Sequence, residues 1–208
     1  METPVINFKY FESPGNFGHF LDEETACEIC GHHTKCFDGS AFIGENDIDA
    51  ICQDCLANGK VLEYDVVTCQ GDTTELRTQL QVLHRGASAG EIDDMVKEKT
   101  TGLETTTPPL ITWQDWEWPC ADGDYCLFIG YGSKQLYNEL SGNKQGFDLF
   151  ADSIYYSQED DTDTEALWDE SMSSKRINNN ADAEKLSVLF YVFKSLHSNK
   201  IVTIWDMD

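Results

Sequence analysis

Cys27-Glu28-Ile29-Cys30-Gly31 and Cys52-Gln53-Asp54-Cys55 decide how the first part of this 208-residue chain folds. Each cysteine pair brackets two residues, and 21 residues separate Cys30 from Cys52. A C-x2-C turn followed by glycine curls the backbone so that both thiolates face one centre. Two such turns supply the four tetrahedral sulfur ligands of a zinc site, and the intervening length leaves room for a short strand. The alternatives are buried reduced thiols or a thioredoxin-like redox pair, but a redox motif needs only one C-x-x-C and the chain carries two. Four thiolates close the coordination shell and leave no position for water, so the expected zinc is structural and not hydrolytic. His32 and His33, beside the first knuckle, offer a nitrogen ligand in place of a cysteine. Cys36 and Cys69 have no partner at ligand spacing and are expected to be packing thiols.

On the N-terminal side, residues 5–10 alternate as an edge strand would, and Ser13-Pro14-Gly15 ends it. Within the cysteine-rich stretch, strands are predicted around Ala41-Phe42-Ile43 and Glu63-Tyr64-Asp65-Val66-Val67. The period then becomes helical, through Leu76, Leu80 and Leu83, then Ile92, Met95 and Val96. Ser88 and Glu91 are set as a capping box for the second helix. Thr105-Thr106-Thr107-Pro108-Pro109 ends helical structure and leads to Trp113, Trp116 and Trp118, expected to serve packing. Leu127-Phe128-Ile129-Gly130-Tyr131-Gly132 reads as a buried strand, and Ser133 as the cap of a short helix through Leu140. Residues 157–180 are polar and read as an exposed loop with one helical turn near Trp168. Between Leu186 and Lys194 both faces are apolar, which predicts a central strand. His197-Ser198-Asn199-Lys200 turns it back into Ile201-Val202-Thr203-Ile204-Trp205 as a hairpin.

These elements predict an α+β fold. A zinc-knuckle, ribbon-like lobe over residues 1–72 packs on a mixed or antiparallel sheet with a C-terminal β-hairpin and a few helices over residues 73–208, the two forming one unit.

The chain carries 14 basic and 38 acidic side chains, a formal charge of −24, yet 40% of it is hydrophobic and 12% aromatic, so it is not a disordered acidic tail. Phosphate binding requires Lys and Arg, so nucleic acid and anionic lipid are poor ligands and a basic protein is a good one. No stretch reaches the roughly 18 apolar residues of a membrane span, and Met1-Glu2-Thr3-Pro4 has no signal-peptide character, so a cytoplasmic location is expected.

Several blocks in order resemble the CbrC family, whose members are linked to colicin tolerance and are mostly of unknown function. They are Phe8-Lys9-Tyr10 with Ser13-Pro14, the two knuckles around Asp47-Ile48-Asp49-Ala50-Ile51, Trp113-Gln114, Cys120 with Cys126-Leu127-Phe128-Ile129-Gly130, and Tyr191-Val192-Phe193-Lys194 to Trp205-Asp206. The resemblance implies a Cys-x-x-Cys-Gly knuckle in the last hairpin, facing the central cysteines. Here that knuckle reads Ser195-Leu196-His197-Ser198-Asn199. Cys120 and Cys126 are then expected either as thiols left in the core, which serine's weakness as a zinc ligand favours, or as a weak metal site with His197.

No phosphate loop, nucleophile elbow, HExxH or dinucleotide fingerprint is present, and an enzyme is not expected. One functional reading is an immunity protein that occludes the basic cleft of a bacterial toxin, such as a nuclease, as a monomer in a 1:1 complex; this is also the direction of the colicin link. Its candidate contacts are Asp93, Asp94, Glu159, Asp160, Asp161, Asp163 and Glu165. The other is a zinc-stapled stress-response or adaptor protein with no toxin partner.

Overall fold

The structure, a computed structural model, describes residues 6–142, 146–156 and 163–208. Residues 8–12 run along the sheet edge without becoming a regular strand. Phe8 bridges Phe11, and Glu12 N–H donates to Phe128 O at 2.8 Å. The edge strand expected at 5–10 is thus, over its described part, a looped strap, because Ser13 turns through a left-handed φ of 54° into the short helix α1 (Pro14–Phe17).

The cysteine lobe follows as paired short strands. β1 (Thr25–Ala26) pairs with β2 (His33–Thr34), and β3 (Cys36–Asp38) runs antiparallel to β5 (Ala50–Cys52). Between the latter two, β4 (Ile43–Gly44) reaches across to β6 (Val66–Val67). The helix α2 (Gln53–Ala57) and a 3-10 turn at Lys60–Tyr64 connect β5 to β6. That turn takes up Glu63 and Tyr64 of the strand expected at 63–67, of which Val66 and Val67 remain as β6.

Two helices then brace the lobe against the body. α3 (Thr73–Leu83) is capped by Asp72, whose carboxylate accepts from Glu75 N–H at 2.9 Å. α4 (Ala89–Thr106) starts with the Ser88/Glu91 capping box. Leu76, Leu80, Ile92 and Val96 are buried as their spacing predicts, whereas Leu83 is 56% exposed.

Cys120–Ala121 (β7) and Asp124–Tyr125 (β8) form a tight hairpin turned by Asp122 and Gly123, with φ of 57° and 79°. An Asp-Gly pair with both φ positive gives the right twist for a two-residue hairpin. β9 (Leu127–Tyr131) enters the main sheet, followed by α5 (Lys134–Leu140) and α6 (Gly146–Ser153). After the short α7 (Thr164–Ala166), a π turn at Leu167–Ser171 and α8 (Asn180–Ala183), the chain completes the sheet. β10 (Val188–Lys194) lies at its centre between β9 and β11 (Ile201–Met207).

The central position of β10 explains its two apolar faces. Leu189, Tyr191 and Phe193 meet the core shared with the cysteine lobe, while Phe190 and Val192 meet Leu136, Tyr137 and Phe150 of α5 and α6. The fold is therefore α+β, with the three-stranded sheet between the lobe side and the α5–α6 layer. Among the described residues no helix is long and apolar enough to cross a membrane.

Candidate metal centre

Gly31 sits at φ 72°, a left-handed conformation easy only for glycine, and this lets the first knuckle fold back on itself. Gly31 N–H donates to Cys27 O at 2.7 Å and Cys27 N–H to His32 O at 2.9 Å, closing the turn between β1 and β2. The second knuckle is built differently. Cys52 ends β5 and caps α2, its Sγ accepting from Cys55 N–H at 3.4 Å. Glu28 ties the two together, since its N–H donates to Ala50 O at 3.0 Å and its carboxylate accepts from Asp49 N–H at 3.2 Å.

The four sulfurs of Cys27, Cys30, Cys52 and Cys55 lie within 4.8 Å of one another. Cys30 and Cys52 are 3.8 Å apart, which is the separation, about 3.8 Å, that two tetrahedral ligands at 2.3 Å from one ion must have. It is far beyond a disulfide bond of about 2.0 Å. The residues present therefore fit a metal ion. Cys27, Cys52 and Cys55 are buried and Cys30 is exposed, so an ion here would sit near the surface with three ligands on the core side. Burial pushes the Cys27 thiol up, but the backbone N–H groups of Cys52, Cys30 and Ile29 outweigh it and bring it down to about 7. Burial raises Cys55, and the neighbouring thiols add to this. One easily ionised thiol among reluctant ones is what a dense sulfur cluster gives before a cation arrives to balance it.

His32 and His33 are exposed and stand outside the sulfur cluster. Cys36 lies opposite Cys52 in the ladder, fully buried, and its thiol is pushed up to about 11, first by burial and then by the charges of Cys27, Cys52 and Cys30. Its Sγ contacts Thr25 O at 3.7 Å.

The structure leads the other sequence candidates to separate partners. Cys120 and Cys126 are buried; Cys120 Sγ is 3.4 Å from the Tyr155 hydroxyl, which itself donates to Asp72 at 2.9 Å. His197 Nε2 lies 3.6 Å from Asp124 Oδ2, and it does not group with the two thiols as a set of metal ligands. Asp93 pairs with Arg77 across α3 and α4, and Asp94 is exposed. Asp163 caps α7 by accepting from Ala166 N–H at 2.9 Å, and Glu165 is exposed. Glu159, Asp160 and Asp161 lie outside the described residues.

The family model of the uncharacterised protein family UPF0167 matches residues 5–207. The chain belongs to that family. CbrC is a member of it, so the blocks that carried the resemblance carried the family as well. No solved structure matches the chain. Membership in this uncharacterised family brings no assigned activity with it.

Two groupings have no sequence motif. Asp124 is 3% exposed and receives Lys99 Nζ at 2.9 Å, Lys9 Nζ at 3.1 Å and the Tyr10 hydroxyl at 2.9 Å. Asp206, fully buried, accepts from Trp113 N–H at 3.1 Å and from Tyr191 at 3.0 Å, with Trp116 Nε1–H at 3.4 Å. Both serve the fold, the first tying the N-terminal strap and α4 to the β7–β8 hairpin, the second tying the tryptophan segment to β11. The Asp-Gly pair at 122–123 was the signal that could have placed the first, since it marks a hairpin ending on Asp124.

Proposed function

We propose that this chain is a non-enzymatic acidic binding protein of the cytoplasm, stapled by zinc at Cys27, Cys30, Cys52 and Cys55, that neutralises a bacterial toxin by covering a basic cleft on it. The observation that carries this reading is the distribution of charge. Lys9 and Lys99 are occupied by Asp124, Arg77 by Asp93, Lys134 by Asp169, Arg176 by Glu139 and Lys185 by Asp182. These pairs take up six of the 14 basic side chains and five of the 38 acidic ones, so outside them acids outnumber cations still further. Such an excess speeds encounter with a basic protein and disfavours nucleic acid.

Zinc is the metal of choice because four thiolates in a tetrahedron suit a soft, redox-silent ion and leave it no open position. We read the serine turn in the last hairpin as a second knuckle whose thiols have become hydroxyls. Ser195 Oγ accepts from Ser198 N–H at 3.2 Å, the same three-residue reach that Cys52 Sγ makes to Cys55 N–H. Both serine hydroxyls then donate to Asp122 Oδ2 at 2.6 Å, so a carboxylate holds together what an ion would otherwise bridge.

Affinity capture with the full chain through a salt gradient, followed by assay of the captured protein, tests the reading. One basic toxin domain should be released only at high salt and be inactive in the 1:1 complex. A housekeeping complex as partner, or retention indifferent to salt, overturns the toxin reading and leaves a zinc-stapled adaptor.

A further inference from the structure

Between the cysteine lobe and the body lies an open cleft of about 290 Å³, walled by Ile43, Cys69, Leu110, Trp116 and Trp118, with the exposed Asp115 in its lining. Its shape follows from two segments that meet and then diverge. Trp118 N–H donates to Gln70 O at 2.6 Å and Asp72 N–H to Trp118 O at 3.1 Å, which pins them together at one end. Before that point Thr68 is drawn to Glu104 O on α4, while Trp113 is drawn to Asp206 on β11. The gap that opens is roofed by β4, where Ile43 is 48% exposed.

The walls are fixed in advance. The Trp116 ring packs 4.9 Å from Tyr191 and 6.0 Å from Phe193, and its indole N–H reaches Asp206. A tryptophan held on one side and presented on the other belongs to the residue types enriched among energetic anchors in protein interfaces. The lining of the cleft carries one acid, Asp115, and no lysine or arginine, and the segments that build it, 41–47, 66–72 and 110–118, add Glu45, Asp47, Asp72 and Glu117 nearby in sequence. Two other clefts carry cations, the one along residues 6–16 with Lys9 and the one on α4 with Lys9 and Lys99, whereas the small one beside Glu184, of about 80 Å³, has none. Beside it, burial and then the Asp72 charge push the Glu117 carboxyl up. A small-molecule site would need convergent polar groups, and the one buried side-chain oxygen without a partner among the described residues, Thr107 Oγ1, is not in this lining.

We infer that this cleft docks an extended segment of a basic protein, which places one large apolar side chain against Trp116 and Ile43 beside a Lys or Arg that meets Asp115. The inference rests on the reading of the chain as an acidic binding protein and specifies where the partner is gripped.

The test is an NMR titration of the full, metal-loaded chain with a capped Arg-Arg-Leu-Arg-Arg peptide, beside one with Gly for Leu and one with Glu for every Arg. Saturable shifts are expected at the Trp116 indole N–H and at the amides of Ile43, Cys69 and Asp115. Binding should weaken about tenfold without the leucine, which forfeits the burial of one aliphatic side chain, and vanish with glutamate. Ile43→Lys and Asp115→Lys, both at exposed positions, should each weaken the leucine peptide about tenfold while leaving the rest of the spectrum in place. Shifts confined to other acidic surfaces such as Asp94, or an equal response to the glycine peptide, overturn the cleft and leave the acidic-binding reading standing. No shift anywhere overturns both.

Discussion

Ser195 Oγ donates to Asp122 Oδ2 across 2.6 Å, joining the turn of the last hairpin to the turn of the β7–β8 hairpin. Ser195 is 4% exposed and its oxygen also accepts from His197 N–H at 3.1 Å, so the contact sets the hairpin turn as well as the cross-link. Asp122→Gly removes the acceptor of two hydroxyls without straining the left-handed backbone at that position, and it leaves Ser198 at the surface, where water replaces the bond. A loss of about 1 kcal/mol in urea unfolding is expected. Ser195→Ala additionally strands two backbone donors and should cost about 1–2 kcal/mol more. If the two variants are equally stable, the turn is held by something other than this clasp.

At the sulfur cluster, Cys55→Ser should lower metal affinity by more than about a hundredfold, because serine is a poor ligand and the remaining thiols cannot close the shell. Cys36→Ser should retain stoichiometric metal, since its thiol is turned to Thr25 O and not into the cluster. Metal analysis after chelator dialysis reads both. Hydrogen exchange should show the β1–β2 and β3–β5 pairs losing protection on chelation before β10 and β11 do. Equal metal loss in the two variants would place Cys36 among the ligands.

Much of this was legible beforehand, for identifiable reasons. The central strand at 188–194 announced itself because both its faces are apolar, and α4 because Ser88 and Glu91 form a local device that needs no tertiary help. The knuckles are local too. The misreadings fall where distant residues decide: the edge strand at 5–10 is bent by Ser13 and captured by Phe128, and the strand expected at 63–67 gives way in its first half to a 3-10 turn because Asp65, at φ 54°, bends the chain before Val66 meets Gly44. The buried carboxylates Asp124 and Asp206 were illegible for the same reason. Their partners lie 25 to 115 residues away for Lys99, Lys9 and Tyr10, and 90 to 93 away for the tryptophans.

Asp124 gives the fold an acid-sensitive joint. Burial pushes its carboxyl up, but the hydrogen bonds and charges of Lys99 and Lys9 outweigh this and hold it below the ordinary aspartate value. A depressed folded-state value means that the contribution is complete above the unfolded value of about 3.9 and is lost as pH falls through the folded one. Asp124→Asn should cost about 2–3 kcal/mol at neutral pH. This is less than the removal of one partner from a fully buried pair, since Lys9 and Lys99 both reach solvent. The stability difference between the two proteins should close below that window, as measured by urea unfolding across acid pH. A difference that persists unchanged in acid would assign the effect to packing.

Asp206 works with the opposite sign. Tyr191 has one hydroxyl hydrogen and faces Ile111 O at 2.8 Å as well as both carboxylate oxygens of Asp206, at 3.1 and 3.0 Å. When Asp206 is ionised, it competes with Ile111 O for that hydrogen. When it is protonated, its own O–H can donate to the tyrosine oxygen, and Tyr191 is free to satisfy Ile111. Burial raises the Asp206 value above the ordinary one despite the donors around it, so the folded chain holds this proton more tightly than the unfolded chain. Stability from this group is therefore greatest below about 3.9 and declines as pH rises through the raised value. Asp206→Asn keeps an acceptor for Trp113 and Trp116 and turns an N–H toward Tyr191, reproducing the protonated arrangement. It should be neutral or stabilising at neutral pH and abolish the decline. Asp206→Ala leaves the Trp113 and Trp116 donors buried without an acceptor and should cost about 2–3 kcal/mol at every pH. Denaturant unfolding of the three proteins over acid to neutral pH separates these outcomes, and an asparagine variant as damaged as the alanine one would mean that the ionised carboxylate is what the fold requires.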